Sequence, residues 1–586
     1  MILSRLFDRN VSPIFLVNFV KAYAYHSNRS LDNNNFNDAR LPYHFADPRR
    51  LLLNPSPVVV VPQQPPVFLV NPNLIPYNPP PPPPPPPGPP FVFIPLNPSV
   101  LIQMEEERSM SLRQLIDEEG LVPSADEEEK RRDVIRKLEQ IVMAWAKKVA
   151  WQRRFPKEQI AETSATVLTY GSYGLGVHGS ESDIDALCVG PYFATMAEDF
   201  FVVLRNMLKN RPEVTEIHCV KDAKVPLMRL KFDGILIDLP FAQLKVLSVP
   251  ENVDVLNPFF LKDIDETSWK SLSGVRANKC ILQIVPDLEI FQSVLRCIKL
   301  WAKCRGVYGN LNGFLGGVHL ATLVAFVCQT NSTGSISSIV SSFFKTYAFW
   351  PWPTPVMLHD SASPAGGYRN ETRSFMPIQL PSSRHEYCHS NITKSTFFKI
   401  RAELLRAHNL TRDLLRPDFD WHILFERFPY SRKYGRFVKV YLSASNQDEL
   451  GDWTGWVKSR FRSLILKLEE VQGLCDPNPC EYGDMDAAEP NVVFYWGLQP
   501  GRANYLDIKY VEKDFLENIN NSYQGSPGRM ELSIIQASQL SSNAQSDTGT
   551  GKKTKACWKI NDYHQPRIPV YSQHMPHYFI GYMEAN

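Results

Sequence analysis

Tyr170-Gly-Ser-Tyr-Gly-Leu-Gly-Val-His-Gly-Ser-Glu-Ser-Asp-Ile-Asp-Ala-Leu-Cys-Val189 is the stretch on which the fold turns. It holds a Gly-Ser turn, a glycine-rich connection, and two aspartates one residue apart, Asp183 and Asp185. Ile184, Ala186, Leu187 and Val189 around them read as a short strand. Side chains alternate along a strand, so Asp183 and Asp185 project from one face. Two carboxylates on one face repel each other unless a cation lies between them. Oxygen-only, carboxylate-rich ligation suits Mg²⁺ or Mn²⁺. The stretch is therefore expected to form a metal site beside a loop able to hold phosphate.

Thr166-Val-Leu-Thr-Tyr170 reads as a strand leading into the turn. Further on, Val225–Phe232 and Ile235–Leu239 read as two strands joined by Asp233-Gly234, a strong hairpin signal. If Ile235 and Ile237 face the core, Leu236 and Asp238 share the opposite face. An aspartate late in an apolar strand is costly without a partner. It is either a turn or edge residue or the third carboxylate of a two-metal site. Two metals about 3.5–4 Å apart can clamp the attacking and leaving oxygens of an in-line displacement. Backbone N–H groups at the Gly-rich turn, with the Ser172 hydroxyl, suit the phosphates of a nucleoside triphosphate. No Gly-Lys-Ser/Thr follows, so this is not a Walker loop. Gly-Ser, then Asp-x-Asp, then a later strand aspartate is the arrangement of a nucleotidyltransferase.

The chain has 586 residues, 44% hydrophobic and 21% charged, as expected of a soluble globular protein of several domains. A net charge of +2 gives no overall nucleic-acid signature, so RNA contact must come from local patches. No apolar run is long enough to span a membrane; Gly313–Cys328 reads as a buried helix. The ten cysteines are scattered, and Cys475-x₄-Cys480 has no second pair to complete a zinc set, so reduced thiols are expected.

Residues 1–101 differ from the rest. Arg5, Arg9, Lys21 and Arg29 stand against Asp8, a weak targeting pattern or a dispensable extension. Pro79–Pro87 is unbroken proline and should be extended polyproline II, either a spacer or a docking segment for a proline-recognising module. Met110–Gly120 reads as a short helix, and Asp126–Trp151 as a longer amphipathic one with Val134, Leu138, Ile141, Val142, Trp145 and Val149 on its apolar face. Phe193–Lys209 and Phe291–Lys303 read as helices. Phe425–Tyr441 interleaves aromatic and basic residues, a pattern that fits gripping single-stranded RNA or the start of a half-buried strand. Phe437–Ala444 and Asn491–Leu498 read as strands, Met530–Gln536 as a strand or short helix. Trp453, Trp456, Val457, Phe461, Leu464, Ile465 and Leu468 form a helical core stripe between them. Residues beyond about 540 read as a disordered tail whose one basic cluster is Lys552-Lys553-Thr-Lys555.

The 170–191 stretch, Phe232-Asp-Gly-Ile-Leu-Ile-Asp238, Ile298-Lys-Leu-Trp-Ala-Lys303, Gly313-Phe-Leu-Gly-Gly-Val318, Trp350-Pro-Trp-Pro-Thr-Pro-Val356 and Met376-Pro-Ile378 together resemble the eukaryotic nuclear-type poly(A) polymerases, the plant proteins most closely. The resemblance runs over roughly residues 103–540. It implies an α+β multidomain fold: a palm-like nucleotidyltransferase mixed sheet, a helical middle domain, and an RRM- or ferredoxin-like C-terminal RNA-binding domain. The expected boundaries are 102–249, 250–395 and 396–540, with 541–586 as tail. It implies transfer of AMP from ATP to RNA 3′ ends with Mg²⁺ or Mn²⁺ held by Asp183, Asp185 and Asp238. Tyr170, Gly171 and Ser172 would hold the triphosphate beside Ile184, Lys299 and Tyr308 would contact the incoming ATP, and Gly317 and Val318 would line its adenine. It further implies a nuclear monomer working with 3′-end cleavage and polyadenylation factors, although the sparse basic tail leaves a cytoplasmic location open.

On their own chemistry these positions keep alternatives. Lys299 is either a solvated surface charge or a clamp on phosphate. Tyr308 can stack on a ligand or pack in a core, and Gly316-Gly317 permits close approach of a ligand or of a helix. Gly174 stands where the family usually has arginine, Gly179 where threonine is frequent, and Ser273 within a motif that is usually Leu-Asn-Gly. The missing guanidinium at Gly174 is expected to weaken the loop's anchoring or its RNA contact. Other readings of the same carboxylates are a uridylyl- or CCA-adding transferase and an inactive RNA-binding scaffold.

Overall fold

The computed structural model describes residues 98–546, apart from 222, 359–373, 383–386, 389, 501–506, 522 and 524. The targeting pattern, the polyproline run and the basic cluster of the tail lie outside the described residues.

A five-stranded mixed sheet is built from β1 (Thr166–Tyr170), β2 (Ile184–Gly190), β3 (Val214–Val220), β4 (Leu227–Phe232) and β5 (Ile235–Gln243). The strands lie in the order β1-β2-β5-β4-β3, with β2 and β5 parallel and the other pairs antiparallel. Asp233 and Gly234 at the β4–β5 turn have φ of 47° and 81°, the left-handed pair that a tight hairpin requires. On one face the helix Ala125–Gln152 lays Val134, Leu138, Val142 and Trp145 against Val167, Ile184, Met228, Leu230, Ile237 and Leu239. Ser124 caps this helix, its hydroxyl accepting from Glu127 N–H while the Glu127 carboxylate accepts from Ser124 N–H. On the other face the helix Glu266–Ile284 packs Leu272 and Val275 over Leu187, Val189 and Ala242. Asp185 precedes Leu187 and Val189 on that second face, where the strand period places it.

The helices Leu288–Cys304, Gly317–Thr330, Ile336–Ala348 and Lys394–Thr411 form a separate apolar core around Phe291, Ile298, Trp301, Phe343 and Tyr347. The helix expected at Met110–Gly120 runs from Pro98 to Glu118, and its buried Leu112, Leu115 and Ile116 join this helical core rather than the sheet's. Proline's fixed φ suits it to the first helical turn, and Gln103–Glu107 and Gln114–Glu118 side-chain hydrogen bonds staple the helix at i, i+4. Gly120, with φ of 65°, follows its end.

A second sheet of β6 (Arg436–Ser443), β7 (Cys475–Pro477), β8 (Asn491–Leu498) and β9 (Arg529–Gln536) is fully antiparallel in the order β7-β8-β6-β9. Met530–Gln536 is thus strand. The core stripe predicted after the strand at Phe437–Ala444 divides into two helices, Gln447–Lys458 and Phe461–Val471, and they pack with Ile508–Asn520 against Val438, Val440, Phe494 and Trp496. The aromatics of Phe425–Tyr441 resolve toward packing: Phe428, Tyr430, Tyr434 and Phe437 are all buried in one cluster with Tyr495. Arg432 and Lys433 are exposed.

Candidate active site

The register of the first sheet assembles the site. Tyr170 is paired with Asp185 across β1–β2, Asp185 with Asp238 across β2–β5, and Asp238 with Arg229 across β5–β4. Four strands therefore present Tyr170, Asp185, Asp238 and Arg229 in one row, adjacent members about 5 Å apart. Asp185 and Asp238 are only 3% and 5% exposed, and Asp183, just before β2, is half-buried. Ile184 is fully buried on the opposite face, in the core beneath helix Ala125–Gln152.

Above this row sits the Gly-Ser turn, a single helical turn over Gly171–Gly174. Gly171 has φ of 62°, and a Cβ there would stand 1.9 Å from Oδ2 of Asp185. Main chain thus lies directly on the carboxylate, which only glycine permits. Ser172 follows, half-buried, its carbonyl accepting from Val177 N–H at 2.9 Å. Tyr170's ring lies against Gly274 of the helix Glu266–Ile284.

Neighbouring helices clamp the turn from behind. Asn278 Nδ2 donates to the Gly171 carbonyl at 3.0 Å, and Gln292 Nε2 to the Leu175 carbonyl at 3.0 Å. Arg296 Nη2 donates to the Gly176 carbonyl. A guanidinium thus anchors this loop from the neighbouring helix, through Arg296. A side chain at Gly174 would meet Asn278 Nδ2 and the Thr169 carbonyl, each at 2.9 Å. Gln292, Arg296 and Lys299 are spaced i, i+4, i+7 and so share one face of the helix Leu288–Cys304. Lys299 is half-buried there. Ser273 bonds its own helix, its hydroxyl donating to the Lys270 carbonyl at 2.6 Å.

The helix Gly317–Thr330, which opens with Gly317 and the exposed Val318, contacts the Gly171–Gly174 turn. Tyr308 is 2% exposed, with Lys303 Nζ 5.3 Å from its ring centroid. Its hydroxyl lies 3.5 Å from where a Gly317 Cβ would be. Tyr308 is thus a core residue whose polar end reaches the helix start.

Of the carboxylates, Asp238 has a direct cationic partner. Arg229 Nε donates to Asp238 Oδ1 at 2.7 Å and Nη2 to Oδ2 at 3.1 Å, with both side chains largely buried. Burial opposes the charge on Arg229, but Asp238, Asp183 and Asp452 outweigh it and raise its pKa. Among the described residues no three carboxylate, imidazole or thiolate groups converge in metal-holding geometry. The donor set nonetheless fits a hard divalent cation. Two buried carboxylates in direct register demand positive charge, and oxygen donors suit Mg²⁺ or Mn²⁺. Arg229, Asn278, Gln292 and Arg296 escaped the sequence reading.

A Gly-Ser turn resting on an in-register carboxylate row of a mixed sheet, with a helical domain behind it, defines a nucleotidyltransferase. The comparisons narrow the class. Residues 102–285 match the poly(A) polymerase nucleotidyltransferase domain, and residues 290–427 the poly(A) polymerase central domain. Nuclear poly(A) polymerase 3 of Arabidopsis thaliana is 60% identical over 82% of this chain and 95% of that protein. Nuclear poly(A) polymerase 4 of the same plant is 37% identical over 72% of this chain and 59% of its own length. The poly(A) polymerase of Dictyostelium discoideum is 34% identical over 77% and 61% respectively. The Cid1 poly(U) polymerase crystal structure, 14% identical with a TM-score of 0.38, covers 55% of this chain and 99% of that one, and at that distance decides nothing about the base transferred. This chain belongs to the poly(A) polymerase family.

Proposed function

We propose that this chain is a polynucleotide adenylyltransferase, moving AMP from ATP to the 3′-hydroxyl of RNA. The observation that carries the reading is the register of Asp185 beside Asp238 under the Gly171 turn, in a chain 60% identical to a nuclear poly(A) polymerase over nearly all of that protein. Asp183, Asp185 and Asp238 would hold the divalent ions. When bound there, such ions neutralise phosphate charge and acidify the attacking hydroxyl. Tyr170, Gly171 and Ser172 receive the triphosphate through main-chain N–H groups and the Ser172 hydroxyl. Lys299, on the helix face that also clamps the turn, is placed to meet the triphosphate as a point charge. Gly317 and Val318 would line the adenine, and Tyr308 would contact the incoming ATP. Asp238 takes the hydroxyl side of the displacement, and most of the rate gain comes from fixed positions and charges rather than covalent chemistry.

We assign the second sheet, with its helices on one face, as an RRM-like domain that holds RNA without base readout. Along the chain the N-terminal, central and C-terminal domains would divide near residues 249 and 395, with helix Glu266–Ile284 packed back on the first sheet and helix Lys394–Thr411 on the helical core; the protein would act as a monomer, and 3′-end cleavage and polyadenylation factors would supply its transcripts. The names of the Arabidopsis relatives support a nuclear location.

The test is primer extension by the full-length protein on oligo(A), with Mg²⁺ or Mn²⁺ and each nucleoside triphosphate in turn. Extension with ATP alone, abolished in Asp185→Ala, is expected. Preferential use of UTP or CTP would identify a different terminal transferase, and RNA binding without extension a scaffold.

A further inference from the structure

We propose, on the reading of Asp238 as a metal ligand, that Arg229 is a built-in counter-ion that positions Asp238 and competes with divalent cations for it. Three observations converge. Arg229 faces Asp238 directly in the β4–β5 register, as Asp238 faces Asp185 in the β2–β5 register, so the guanidinium caps the carboxylate row. Both oxygens of Asp238 accept from it, at 2.7 and 3.1 Å, and each so gives up a lone pair a cation would use. The Arg229 and Asp238 side chains are 14% and 7% exposed, so solvent screens the pair little.

A buried carboxylate row without a cation would be destabilised by its own repulsion and by desolvation. Arg229 relieves that cost while the site is metal-free. Its planar fork also fixes the carboxylate plane, which a lysine's single point charge does not do. An ion entering alone must share or displace that pairing. A triphosphate held at the Gly171 turn would add negative charge beside the row, and a cation bound with it would compete with Arg229 for Asp238 on better terms. Arg229 thereby couples occupancy by metal to occupancy by nucleotide.

The sign of one measurement separates this role from a purely structural one. The metal-free, full-length protein is titrated with Mn²⁺ in the absence of nucleotide, and free Mn²⁺ is read by electron paramagnetic resonance. Arg229→Gln is expected to bind Mn²⁺ more tightly than wild type, by about tenfold for one removed positive charge. The gain should vanish in Arg229→Gln/Asp238→Asn. Arg229→Lys keeps the charge and protects the fold while losing the fork, and a smaller gain of about threefold is expected. Unchanged or weaker Mn²⁺ binding in both Arg229 variants overturns the proposal, because an arginine that only supported the fold would loosen the site when removed. Asp185→Asn separates this failure from a failure of the metal-site reading. Loss of Mn²⁺ binding there leaves that reading standing whatever Arg229 does, and retained binding overturns both.

Discussion

Gly171 and Asp185 cannot be changed independently, because the Gly171 main chain rests on the Asp185 carboxylate: an added Cβ would fall 1.9 Å from Oδ2. With φ of 62°, the position also penalises any L side chain on backbone grounds. Gly171→Ala should therefore push the turn off the carboxylate row or rotate Asp185 away from Asp238. Extension of an oligo(A) primer is expected to fall by about a hundredfold or more, since misplacement of about 1 Å can cost that much. The stability loss should stay near 1–3 kcal/mol. Primer-extension rates beside a thermal melt check both, and near-normal extension would mean the turn does not sit over the catalytic carboxylates.

Restoring the family's arginine at position 174 is expected to harm this chain. The space is taken by Asn278, which holds the Gly171 carbonyl, and by the Thr169 carbonyl, which is main chain and cannot swing aside. Gly174→Arg should lower the melting temperature and slow extension. Adding Asn278→Thr, which shortens the obstructing side chain, should recover part of the loss. Activity above wild type in the single variant would show that the clamp by Asn278, Gln292 and Arg296 leaves the loop under-anchored.

Much of this was legible in the sequence, and the part that was not had identifiable causes. The Asp233-Gly234 turn fixes the hairpin register: with Phe232 opposite Ile235, three steps along each strand put Arg229 opposite Asp238. That pairing could have been counted out beforehand; it was missed because Arg229 in a strand of alternating Met228, Leu230 and Phe232 reads as a solvated face. Asp185 beside Asp238 was not countable in the same way. Parallel register across β2 and β5 depends on the 44 intervening residues, including β3 and β4, rather than on a local turn. Asn278, Gln292 and Arg296 lie in helical patterns where a polar residue ordinarily faces water, and only the docking of two helices on the turn gives them partners. The aromatics of Phe425–Tyr441 show the converse. Their spacing allowed stacking on RNA, and long-range packing against β8 buried them instead.

One buried ion pair fastens the helical domain to the second sheet, and another ties two helices of the helical domain together. Lys399 Nζ lies 2.7 Å from Asp476 Oδ1, Tyr434 donates to Asp476 Oδ2 at 2.8 Å, and Arg305 pairs with Glu403 at 2.7 Å. Burial lowers the Lys399 pKa and raises that of Asp476, each opposed by the other's charge, so the pair survives on mutual support. Lys399→Met leaves Asp476 buried with no ammonium and should cost about 3–5 kcal/mol, whereas Lys399→Met/Asp476→Leu should cost clearly less. Chemical denaturation of wild type, the two single variants and the double variant checks this. Additive losses from Lys399→Met and Asp476→Leu would show that the two groups do not depend on each other.

His178 makes the stability of the glycine-rich loop depend on pH. Its ring is 5% exposed, packs 4.7 Å from the Tyr173 ring, and has Nε2 2.8 Å from Glu128 Oε2. Burial lowers its pKa from 6.5, against the hydrogen bond and charge of Glu128 and with the repulsion of Arg131 and Arg296. Below about 6.5 the unfolded chain accepts a proton that the folded chain resists, so the unfolded state binds more protons. Stability therefore rises with pH through this window: it is complete above 6.5 and falls as pH drops toward the lower folded value. Wild type should melt lower at pH 5.5 than at pH 7.5, beyond any change in His178→Gln, which cannot take up the proton. Glu128→Gln should widen the difference by removing the charge that favours protonated His178. Equal pH dependence in wild type and His178→Gln would exclude His178 as the group responsible.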